Sequence, residues 1–162
     1  MSLVRSALIA AMLGLAGTVA SPQAFAADEH NISVGATIAG PGLAVHGYDV
    51  VSYFNGSPEI GSDDFAVAYK GAAYRFASKA DLDAFNASPD KYVPAYGGFC
   101  AYGTALGKKF DGDPRFWKVV DGKLYLNLNR DIQAKWSGDI AGNIKKADAT
   151  WPTIMSIPAS KL

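Results

Sequence analysis

Three side chains in this sequence carry the chemistry of a soft-metal or thiol site: Cys100, His46 and Asp49. Cys100 is the only cysteine among 162 residues, so a disulfide within the chain, a CxxC pair and a four-cysteine centre are all excluded. Its sulfur has four possible uses: burial, metal ligation, pairing with another chain, or nucleophilic chemistry. Tyr96-Gly97-Gly98-Phe99 precedes it, and the paired glycines free the backbone for a sharp turn. Cys100 to Leu106 can start a short helix. A thiol in a first helical turn feels the N-terminal dipole and unpaired N–H groups, which favour thiolate. The competing reading is a small buried hydrophobe among aromatics.

A metal needs further ligands. His46, Asp49 and Cys100 would supply nitrogen, oxygen and sulfur if the fold joins their segments, and thiolate with imidazole suits copper or zinc, copper first. Otherwise His46 is a hydrogen-bonded loop histidine and Asp49 the N-cap of the Val50–Tyr53 turn. His30 lies in a poorly patterned leader and Met155 in a terminal tail, both poor places for a rigid site. Tyr96 and Tyr102 flank Cys100 and are the tyrosines placed to line a small pocket there; the others fill the core and its rim. If Cys100 is a nucleophile, the resolving thiol must come from a small thiol or a partner protein. No Ser/His/Asp set or Gly-x-Ser-x-Gly turn is present, and no organic cofactor is expected. Asp111-Gly112-Asp113 lacks the distal Glu of an EF-hand and reads as a turn before Pro114.

These residues sit in a balanced chain. Fifteen basic groups face fifteen acidic ones, and 49% of residues are apolar. That is one globular domain, with no electrostatic footprint for nucleic acid; Lys108-Lys109 and Lys145-Lys146 read as solvated pairs. Residues 1–26 carry Arg5, an apolar run from Ala7 to Ala20 and Ala24-Phe25-Ala26, the pattern of a cleaved signal peptide. The run is too short for a membrane span, which needs about 20 residues. Export to a periplasm or beyond, with cleavage after Ala26, is the expectation. Residues 27–43 then form an extended arm, 44–152 the domain and 153–162 a tail.

Two hairpins should position the site. Phe65–Tyr69 and Ala73–Phe76 flank Lys70-Gly71; Phe116–Val120 and Lys123–Asn127 flank Asp121-Gly122, a pair that tolerates positive φ. Ser78, with Asp81 three residues on, caps a helix that ends near Ala87, before Pro89. Helices over Arg130–Trp136 and Asp139–Ala149 place Ile132, Trp136, Ile140 and Ile144 at intervals of four, with Trp151-Pro152 as the stop. The fold class is α+β: a single small domain with antiparallel hairpins and short helices.

Tyr69-Lys70-Gly71-Ala72-Ala73-Tyr74-Arg75-Phe76, the helix to Phe85 and Pro89-Asp90-Lys91-Tyr92 resemble the YHS domain. Gly47-Tyr48-Asp49-Val50-Val51-Ser52-Tyr53-Phe54, Tyr96-Gly97-Gly98-Phe99-Cys100-Ala101, Gly112-Asp113-Pro114, Asp121–Asn127 and Trp151-Pro152 are similar to the exported bacterial branch of that family. The resemblance covers roughly residues 44–152. It implies metal handling, and a reactive chalcogen at the position of Cys100, since the branch includes proteins named as possible selenoproteins. This chain departs from the metal-binding relatives in having Ala77 and Ser78 after Phe76 and no second cysteine. A multi-thiolate site does not carry over.

Overall fold

The structure, a computed structural model, describes residues 29–32, 36–37 and 40–162. The signal-peptide reading and the first part of the arm lie outside the described residues. Among those described, no helix is long and apolar enough to cross a membrane.

The class is α+β. A two-residue ladder pairs β1 (Ala36–Thr37) with β2 (Gly40–Pro41). Hairpin β3 (Ser62–Tyr69) with β4 (Ala72–Phe76) follows, and hairpin β5 (Asp113–Val120) with β6 (Lys123–Asn127) comes later. Both turns are where the sequence places them. Lys70 and Gly71 have φ of 47° and 82°, and Asp121 and Gly122 have φ of 49° and 73°. Left-handed geometry at both central positions matches the strand twist. The two hairpins stay separate two-stranded sheets.

Most of the α-helices start at side-chain caps. The Ser78 hydroxyl accepts the Asp81 N–H at 3.1 Å and opens α1 (Lys79–Ala87). Pro89 then begins α2 (Pro89–Tyr92), and Cys100 caps α3 (Ala101–Ala105). Asn129 accepts the Ile132 N–H at 3.0 Å ahead of α4 (Arg130–Ser137). Asp139 accepts the Gly142 N–H at 2.9 Å ahead of α5 (Ile140–Ile154). Each cap satisfies a first-turn N–H that has no partner in the helix.

The expected stop at Trp151-Pro152 does not hold, because α5 runs through Pro152 to Ile154. Its last turn is fixed by tertiary contacts. Ile154 is buried, and the Lys109 ammonium donates to the Met155 and Ile157 carbonyls at 2.6 and 2.7 Å. A cation at a helix C-terminus satisfies carbonyls that the helix leaves open. Lys109 is therefore buried, not one of a solvated pair, and lies over the Phe99 and Trp151 rings.

Two apolar clusters result. Tyr53, Tyr74, Phe76, Phe85, Leu124 and Leu126 anchor the first, between the hairpins and α1. Tyr96, Ala101, Tyr125, Trp136 and Ala147 form the second, between α3, α4, α5 and β6. The Cys100 segment lies along the boundary, joined to β6 by a parallel bridge to Leu126.

Candidate functional site

The loop before Cys100 is left-handed over three residues: Tyr96, Gly97 and Gly98 have φ of 54°, 61° and 85°. At Gly97 a Cβ would overlap the Glu29 carbonyl oxygen, so the arm docks only on glycine. The Asn31 N–H donates to the Gly97 carbonyl at 2.8 Å and completes that docking. Tyr96 bears the strain as a non-glycine and is held at its far end, where its hydroxyl donates to Asp148 Oδ1 at 2.9 Å. Burial, with the Asp148 carboxylate beside it, pushes the Tyr96 hydroxyl far above the ordinary tyrosine range.

Cys100 begins a helix, as the sequence suggests, but its sulfur is sealed. The side chain has no exposed surface. Sγ accepts the Gly103 N–H at 3.4 Å, and the thiol faces Asn127 Oδ1 at 3.8 Å. That same Oδ1 accepts the Tyr102 N–H at 3.4 Å. Burial pushes the thiol pKa up; the Gly103, Leu128 and Tyr102 N–H groups oppose the shift, and the charge of Asp111 adds to it. Desolvation outweighs the dipole of a five-residue helix, so the expected stabilisation of thiolate does not follow.

Asp49 is equally enclosed, with no exposed surface. Oδ1 accepts Val51 and Ser52 N–H groups at 2.8 and 3.4 Å, and Oδ2 accepts the Ala77 N–H at 2.9 Å. The carboxyl group thus caps the Val50–Tyr53 turn and ties it to the end of β4. Burial pushes its pKa up, against the three N–H groups that pull it down. The capping reading describes this residue.

His46 is the expected ligand that reaches the surface. It occupies the middle of a second left-handed turn, with φ of 48° at Val45, 51° at His46 and 84° at Gly47. A β-branched residue in that region is strained, and Val45 is held there by burial of its side chain. His46 Nε2 lies 3.0 Å from Asp111 Oδ1, with both side chains about half exposed. Asn31 Nδ2 donates to the same Oδ1 at 2.6 Å and to the Gly98 carbonyl at 3.2 Å. His46 therefore meets the loop of Cys100 through Asp111 and Asn31, neither of which the sequence singled out as a ligand.

What brings Asp111 there is a close backbone approach. A Cβ on Gly112 would overlap the Gly98 carbonyl oxygen, and the Cys100 N–H donates to the Phe110 carbonyl at 2.9 Å. The Asp-Gly-Asp pattern marks a turn, but the Gly98 turn that it packs against lies outside any local window. Among the described residues, no three His, Cys, Asp or Glu side chains converge so as to hold a metal ion. His46, Asp49 and Cys100 thus serve three different local structures.

The two tyrosines divide as well. Tyr96 lines a cavity of about 230 Å³ together with Glu29, His30, Trp151 and Met155. Tyr102 packs half-buried against the second apolar cluster instead. Comparison with models of known protein families, with characterised proteins and with solved structures gives no match.

Proposed function

We propose that this chain is an exported YHS-type module that handles a borderline divalent metal, zinc or copper, at His46 and Asp111, with Cys100 as a structural thiol. The observation that carries the reading is the imidazole Nε2 held 3.0 Å from a carboxylate oxygen at the surface. Imidazole nitrogen with carboxylate oxygen suits Zn(II) or Cu(II), whereas a sealed thiol offers no soft anion. Strain concentrated in the Val45–Gly47 turn supports a ligand-facing role for His46, because such conformers cluster at ligand clamps.

Two protein ligands leave coordination positions for water or for a partner's donors. That is the arrangement of a site that passes metal on, in contrast to the closed four-ligand cage of a structural zinc. The rival reading, a thiol oxidoreductase using Cys100, is disfavoured by the absence of exposed surface on that residue.

Zn(II) titration of the purified protein tests the reading. His46→Ala and Asp111→Asn should each weaken binding by at least about tenfold, since even outer-shell changes at metal sites cost 10–100-fold. Cys100→Ser should bind like the wild type. Equal affinity in all four proteins would remove His46 and Asp111 as ligands.

A further inference from the structure

His30 and Met155 stand far apart in the sequence, and neither belongs to the His46 site. Both line the cavity of about 230 Å³ that Glu29, Tyr96 and Trp151 also border. The chain holds three methionines, and Met1 and Met12 fall in the segment read as a signal peptide. Met155 is thus the one thioether expected in the exported protein.

Both donors are mounted on anchored backbone. The Asn31 N–H bond to Gly97 and the contact of the Glu29 carbonyl with Gly97 hold the His30 segment. The Met155 N–H donates to the Trp151 carbonyl at 2.9 Å, and its own carbonyl accepts from Lys109 Nζ at 2.6 Å. The ammonium of Lys70 also borders this space, but it lies 2.7 Å from Asp90 Oδ1 and stacks over Tyr69. That pairing offsets part of its charge, and the remainder still acts at His30.

We propose that this cavity is a Cu(I) site in which His30 supplies nitrogen and Met155 supplies sulfur. A thioether selects a soft monovalent ion and gives Zn(II) little, so this site differs in kind from the His46–Asp111 pair. Trp151 and Glu29 line the same cavity, and the Lys109 ammonium lies 5.5 Å from the Trp151 ring centre. Binding involves no change of oxidation state. The site does not depend on the zinc reading and can hold where that one fails.

The test uses the exported chain carrying Cys100→Ser, so that Met155 is the only sulfur present. Anaerobic competition with a chromophoric Cu(I) chelator should give one bound ion. Met155→Leu, which preserves apolar volume, and His30→Gln should each weaken binding by at least about tenfold. His46→Ala should leave it unchanged. X-ray absorption at the copper edge should show one sulfur neighbour in the parent, a readout that no folding defect in a variant affects. A nitrogen- and oxygen-only spectrum, or Cu(I) affinity unchanged in both Met155→Leu and His30→Gln, would overturn the proposal. Ag(I), a redox-inert stand-in, should quench indole emission in the parent and much less in Trp151→Phe. Equal quenching in the two would place the ion outside this cavity and overturn the proposal.

Discussion

His46 Nε2 and Asp111 Oδ1 lie 3.0 Å apart across 65 positions of sequence. The contact joins two strained or crowded segments: the left-handed Val45–Gly47 turn and the stretch where Gly112 passes under the Gly98 carbonyl. Each segment has its own structural anchor, Val45 in the first apolar cluster and Cys100 at the head of α3. Cys100 thus helps to set the segment that carries Asp111, through its N–H bond to the Phe110 carbonyl.

Thiol chemistry gives the first prediction. Alkylation of Cys100 in the native protein should be far slower than that of a free thiol at the same pH, because Sγ is buried and its pKa is raised. Denaturant should release the reaction. Native labelling at the free-thiol rate would show that the segment opens readily.

The raised thiol pKa also fixes a pH dependence. A group with a raised folded pKa contributes stability that is complete below its unfolded value, about 8.5 for cysteine, and lost as pH rises towards the folded value. Serine does not titrate there. The stability difference between wild type and Cys100→Ser should therefore shrink in mildly alkaline solution. Urea unfolding at neutral and alkaline pH measures it, and a difference that grows with pH would contradict the sign.

Tyr96→Phe removes the bond to Asp148 Oδ1 while keeping the ring that packs on Tyr125 and Trp151. The expected loss is about 1 kcal/mol. In a double-mutant cycle with Asp148→Ala, the two losses should not add, because each removes the same bond. Additive losses would show that the hydroxyl and carboxylate do not interact.

Gly112→Ala tests how the fold sets the His46–Asp111 pair proposed to bind metal. The added methyl would overlap the Gly98 carbonyl, so the two segments must part, at a cost of about 1–3 kcal/mol. Asp111 should then move from His46, and Zn(II) affinity should fall although no ligand is changed. An unaltered affinity would show that Asp111 is placed independently of that approach.

Much of this fold is legible locally. Lys70-Gly71, Asp121-Gly122, the Ser78 cap and the capping role of Asp49 each depend on neighbours within a few residues, and the structure places them accordingly. The site is less legible because its determinants are long-range. The Cys100 thiol pKa is decided by burial alongside Leu126 and Asn127, not by the short helix that it caps. Asp111 acquires a partner only through the Gly98–Gly112 approach. The helix α5 passes Pro152 to Ile154, and the Met155 and Ile157 carbonyls just beyond its end accept from Lys109, over forty positions earlier. His30 and Met155, each unpromising in its own segment, border one cavity for the same reason.

The most direct measurement follows the two imidazole side chains by NMR during Zn(II) addition. The chain has only His30 and His46, and His30→Gln assigns them. The account predicts that the His46 resonances shift and saturate near one equivalent of Zn(II), while those of His30 stay in place. His46 resonances unmoved at saturating Zn(II) would contradict it.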